Sequence, residues 1–205
     1  MLLNYDNLVK KYNMNVTGVI HIGGHHGSEY DIYKKYESIQ HILFFEPDET
    51  SFQILEEKVK DDSRVICVNK ALGPFQGTTT FYKSKDNLGQ SNSLMKPIVH
   101  AKQYPGIVFN EEVEVKFYPL DKFKPAPIFN LINIDVQGFE LNVFIGGKKT
   151  LKNIKYIIAE VNRDELYENC AYINELDAYL GTYGFVRKET SWDGITWGDA
   201  LYIKE

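Results

Sequence analysis

The stretch "HIGGHHGSE", His21 to Glu29, decides the fold. It follows the apolar residues Val19 and Ile20 and leads into "YDIYKKY". An apolar run, a turn rich in glycine and a mixed segment behind it make a strand–loop–helix unit. Gly23, Gly24 and Gly27 let the loop pass close beneath a ligand, and the helix start behind them offers free N–H groups. Three histidines, His21, His25 and His26, crowd the same stretch. The loop therefore reads in three ways: a metal site, a phosphate cradle, or the floor of another cofactor pocket.

Outward from this loop, strand-like and helix-like segments alternate. Strands are expected at Thr17–Ile22, Ile42–Phe45, Arg64–Asn69, Phe129–Ile134 and Tyr156–Ala159. Helices are expected over Leu3–Met14, Ser28–Tyr36, Ser51–Lys60, Leu141–Ile145 and Ile173–Leu180. Thr78–Tyr82 and Val113–Phe117 add two strands, and Phe185–Lys188 and Ala200–Ile203 two more. Continuous apolar strands between helices belong to a mainly parallel sheet covered on both faces. The 205 residues suffice for one α/β domain with a full core. Its expected layout is an N-terminal helix within 1–16 and a core over 17–205. The long polar segment "KSKDNLGQSNSLMKPIVHAKQYPG" forms an insert around 84–111, a length more often functional than idle.

The formal net charge is −5, and no basic face stands out, so general nucleic-acid binding is not expected. Two cysteines, Cys67 and Cys170, fit a reduced, cytoplasmic protein better than a disulfide scaffold. No apolar run approaches 18 residues, so no membrane span is expected, and the N-terminus lacks a signal-peptide pattern.

In a sheet of this kind, ligands bind beyond the carboxyl ends of the strands, where the strand order reverses. That rule lines up His21–Gly27, Glu46, Asn69–Gly73, Asp135–Gln137 and Glu160–Asn162 along one edge. Glu46 ends the second strand, 19 residues after Gly27. A carboxylate there can accept hydrogen bonds from both ribose hydroxyls of a nucleoside cofactor. The alternative for Glu46 is a solvated acid ahead of Pro47. The glycine spacing suits a nicotinamide dinucleotide poorly and S-adenosylmethionine acceptably, since the latter carries no pyrophosphate.

The series "HIGGHHGSE", "FFEPDETSFQIL", "VNKALG", "GQSNSL", "INIDVQGFELNVFIGG" and "WGDALYI" resembles the FkbM-type S-adenosylmethionine-dependent methyltransferases over about residues 17 to 204. The resemblance implies a Rossmann-like class I methyltransferase fold with an antiparallel last strand. It also implies O-methylation of hydroxyls on sugars, glycans or polyketide products. By position, Gly23, Gly24 and Gly27 would cradle the methionine part, Glu46 with Pro47 would hold the ribose, and Lys70, Ala71 and Leu72 would lie by the adenine. Asp135 would sit near the reacting groups. This chain departs from the family loop, which tends to carry an acidic residue at 21 and Asn at 25. With His21 there, placing the methionine amino group passes to another group, Asp135 or a backbone carbonyl.

Methyl transfer needs an acceptor oxygen aligned about 3 Å from the methyl and a group to take the acceptor proton. Asp135 is the first choice for that role. Glu160, His25 and His26 are the others, Glu160 having the alternative of a helix-start acid. Ser91 and Ser93 either close over the cofactor or cap the loop. Gln137, Asn162, Trp197 and Asp199 are placed at the acceptor, with ordinary packing as the alternative for Trp197. Asp135, Glu160 and Asp199 could instead hold Mg²⁺, which is not expected. A zinc site from His21, His25, His26 and His100 requires convergence that a strand and turn do not give.

The expected partner is thus a neutral sugar or glycan acceptor. The alternatives are another small-molecule or RNA ribose hydroxyl, or a non-catalytic nucleoside-binding module. A linker-free chain suits an isolated enzyme and also one piece of a larger glycan-building protein.

Overall fold

Strand β1 (Gly18–Ile22) is buried along its whole length. Its side chains alternate between two apolar clusters, one on each face of the sheet: Ile20 and Ile22 enter one, Val19 the other. A computed structural model describes residues 1–205 and places this strand at the centre of the fold. In chain order the flanking elements are α1 (Tyr5–Tyr12), α2 (Tyr30–Tyr33), β2 (His41–Phe45), α3 (Glu49–Val59) and β3 (Val65–Val68). A small unit follows: β4 (Ala71–Leu72), β5 (Gly77–Ser84), α4 (Val99–Gln103) and β6 (Phe109–Tyr118). The second half contributes β7 (Leu131–Ile134), α5 (Glu140–Ile145), β8 (Tyr156–Asn162), α6 (Ile173–Gly181), β9 (Phe185–Asp193) and β10 (Trp197–Lys204).

The main sheet has seven strands in the order β3-β2-β1-β7-β8-β10-β9. Pairing is parallel from β3 to β8, while β10 runs antiparallel to both β8 and β9. The order reverses between β1 and β7, so the carboxyl ends of β1, β2 and β7 surround one crevice. A second sheet, β4-β6-β5, sits beside it, and the expected insert fills the β5–β6 connection.

Strands β6, β9 and β10 run longer than expected and β4 was not foreseen, and two further differences lie close to the cavity. Helix α2 is one turn, against an expected span of Ser28–Tyr36, because the chain turns at once to bury Ile39 before β2. Strand β8 runs three residues beyond Ala159, because β10 pairs with it as far as Asn162. The insert also contains the short helix α4, which its polar composition concealed. No helix is long and apolar enough to cross a membrane, and both cysteines are free.

Candidate active site

A cavity of about 410 Å³ opens at the carboxyl ends of β1, β2 and β7. That size falls in the roughly 300–1,000 Å³ range of small-molecule sites. Its floor is the glycine loop. The N–H groups of Gly23 and Gly24 both donate to the Phe45 carbonyl, at 2.9 and 3.0 Å, and tie the loop to the end of β2. Gly23 has φ +85°, and a Cβ there would lie 1.8 Å from the Asp135 carbonyl oxygen. Only a hydrogen fits where the β1 and β7 ends touch. A Cβ on Gly24 or Gly27 would instead meet the Leu55 side chain of α3, at 3.0 and 2.7 Å. These two glycines seat the loop on a helix and do not line the cavity.

The three histidines separate. The His21 ring is buried and turned onto the Tyr33 hydroxyl, with Nδ1 at 3.0 Å. Asn133 Nδ2 donates to the same hydroxyl at 2.6 Å. Burial holds the His21 ring below the ordinary imidazole value, hence neutral. His25 lines the cavity with φ +44°, and its Nε2–H donates to the Leu88 carbonyl of the insert at 2.8 Å. His26 stacks on His25 at 3.8 Å between ring centroids and does not line the cavity. His100 lies on the insert with Nε2 3.0 Å from Ser91 Oγ. No three or more His, Cys, Asp or Glu side chains are grouped to hold a metal ion.

Glu46 is buried at the end of β2. Its Oε2 accepts the His25 N–H at 2.7 Å and its Oε1 the Asp48 N–H at 2.8 Å. Burial nonetheless pushes its carboxyl up to about 7. Pro47, Lys70, Ala71 and Leu72 line the wall beside it, and Asn69 Nδ2 donates to the Glu46 carbonyl at 3.0 Å.

Beyond β7 and β8 lies a second group. Asp135 and Glu160 both line the cavity, and the two N–H bonds of Gln137 bridge Asp135 Oδ1 and Glu160 Oε2, each at 2.7 Å. Gln137 has φ +55°, and its Oε1 accepts the Tyr167 hydroxyl at 2.7 Å. Its amide is fully committed to fixing these carboxyls. Glu160 stands within β8, opposite Asp199 of β10, and does not start a helix. Burial, then the neighbouring Asp135, Glu140 and Asp199 carboxyls, raise Glu160 well above the usual range. Burial also raises Asp199, which accepts backbone N–H groups from Leu2 and Leu3. Asn162 is buried, lines no part of the cavity and leaves its amide without a partner.

The insert forms the remaining wall. Ser93 Oγ donates to the Gln137 carbonyl at 2.7 Å. Trp197 Nε1–H donates to the Tyr104 hydroxyl at 3.1 Å, and both residues line the cavity. Sequence reasoning gave Tyr104, Glu29 and Asn133 no role, although all three line it. The length of the insert was the one signal that pointed towards Tyr104.

Comparison with known proteins follows this geometry. The chain is 27% identical over 158 residues to the 2-O-methyltransferase NoeI of Sinorhizobium fredii, covering 73% of this chain and 65% of that protein. Among solved structures it is similar to M. capricolum TrmK in complex with S-adenosylhomocysteine (TM-score 0.55, 12% identity, 100% of this chain and 70% of that one). It is also similar to the magnesium protoporphyrin IX methyltransferase of Synechocystis PCC 6803 with bound S-adenosylmethionine (TM-score 0.53, 11% identity, 97% and 74%). These two likenesses establish the class I methyltransferase fold. The sequence profile of the methyltransferase FkbM domain matches residues 21–187, most of the chain, which makes this protein a member of the FkbM methyltransferase family.

Proposed function

We propose that the cavity binds S-adenosylmethionine and that the protein methylates a hydroxyl of a sugar or glycan. The observation that carries the donor reading is Glu46, a buried carboxylate at a strand end facing the same cavity as Gly23 and Asp135. Each Glu46 oxygen takes one backbone N–H and keeps a lone pair for a ribose hydroxyl. The close approach at Gly23 leaves the floor free of side chains, and Ala71 and Leu72 offer an apolar wall to an adenine. When bound, the donor supplies an electrophilic sulfonium methyl.

Asp135 is the residue assigned to the acceptor proton. Gln137 donates to its Oδ1 and fixes the carboxyl in place. Glu160, tied to Asp135 through the shared Gln137 amide, positions it. Trp197 and Tyr104 present aromatic surface to a sugar ring. Likeness to the Sinorhizobium 2-O-methyltransferase supports oxygen as the acceptor atom.

An RNA acceptor is disfavoured by the lining itself. Glu29, Glu46, Asp135, Glu160, Asp193 and Asp199 face the cavity, against the single lysine Lys70. Phosphates require the opposite sign. Calorimetric titration with S-adenosylhomocysteine, with NADH as control, tests the donor reading. Micromolar binding of the first and none of the second is expected; binding of neither removes the enzyme reading.

A further inference from the structure

Glu29 ends the quoted loop, opens α2 and lines the cavity that holds Glu46 and Asp135. Nothing so far assigns it a task. Its side chain is only 16% exposed, and its Oε1 lies 3.5 Å from the amino group of residue 1. Ser28 Oγ donates to the other oxygen at 2.9 Å and fixes its direction. Burial alone would raise the Glu29 carboxyl, yet its neighbours, the Ser28 hydroxyl among them, hold it below the usual carboxylate value.

The donor carries an α-ammonium at its amino-acid end, and a carboxylate of the cavity is its strongest partner. Of the other carboxyls in the lining, Asp193 lies at the far end of β9, and the rest are engaged. Glu46 stands at the ribose end and accepts two backbone N–H groups. Asp135 and Glu160 share Gln137. Asp199 accepts the N–H groups of Leu2 and Leu3. His21, buried against Tyr33, brings no negative charge. On the donor reading above, we propose that Glu29 receives the α-ammonium of the methionine arm of S-adenosylmethionine.

The test compares two ligands by calorimetry. S-adenosylhomocysteine carries the amino-acid arm, and 5′-methylthioadenosine keeps the adenosine and the thioether without it. Glu29→Gln is expected to weaken S-adenosylhomocysteine about tenfold or more while changing 5′-methylthioadenosine less than about threefold. Glu46→Ala, acting at the shared ribose, weakens both. Retained 5′-methylthioadenosine binding and an unchanged thermal midpoint report that Glu29→Gln is folded. Unchanged S-adenosylhomocysteine affinity in Glu29→Gln, or equal loss of both ligands, overturns the assignment while leaving the donor reading standing. Binding of neither ligand by the wild-type protein overturns the donor reading and this assignment with it.

Discussion

Glu46 combines two demands that oppose each other. A ribose diol is held best by an ionised carboxylate, yet burial pushes this carboxyl up to about 7. The proposed donor site therefore titrates near neutrality. Affinity for S-adenosylhomocysteine is expected to fall by up to about tenfold as pH drops from about 8 to about 6, because the ionised fraction shrinks. Glu46→Gln flattens that profile; calorimetry at three pH values suffices to see it. Gly23→Ala has no space at all, since its Cβ would meet the Asp135 carbonyl. It is expected to abolish binding, and a normal titration by this variant would refute the floor assignment. Glu46 was legible in the sequence because its spacing and strand end are local features. Gln137 was placed at the acceptor, whereas its amide bridges two carboxyls, a role that depends on contacts from β8 and Tyr167. The upward shift of Glu160 was equally hidden, because it follows from burial.

At the level of elements, the glycine loop depends on α3. Leu55 is fully buried and fills the space that side chains at 24 and 27 would need. Lys58 Nζ of the same helix donates to the Gly27 carbonyl at 2.7 Å. Leu55→Ala is expected to cost about 2–5 kcal/mol of stability and to weaken S-adenosylhomocysteine binding as the loop loses its seat. Urea unfolding and calorimetry on one sample check both. A variant that loses stability and keeps full affinity would show that the loop holds its shape without α3. The apolar strands were readable because burial on both faces leaves continuous Ile, Leu and Val runs. The helix at α2 was readable but not its single turn, and α4 was not, since one or two turns carry too little periodicity to register.

For the molecule as a whole, the buried acids set a pH dependence. Burial raises Glu46 and Glu140 to about 7 and lifts Glu160 well above the usual carboxylate range. Between the unfolded value near 4.5 and these folded values, the native state binds more protons than the unfolded one. Stability of the ligand-free protein is therefore expected to fall as pH rises through that window. For Glu46 alone the loss is on the order of 3 kcal/mol. Urea midpoints at about pH 5.5 and about pH 8 measure it; a rising midpoint would contradict the burial of these acids as ionisable groups. Glu160→Gln mimics the protonated acid and should reduce the decline. The fold class was readable from alternation and the glycine loop. The position of β10 between β8 and β9 was not, because strand order depends on pairings between distant parts of the chain.

That strand order also has a consequence for synthesis. Strand β9 leaves the ribosome before β10, yet its only partner in the sheet is β10. It must wait, with its pairing groups open, until the last strand emerges and inserts between it and β8. A chain stopped at Asp193 would expose the edges of both β8 and β9, a template for self-association. Such a truncation is expected to accumulate as insoluble aggregate when expressed, whereas β10 pairs with β8 and β9 together and leaves only the outer side of β9 at the sheet edge.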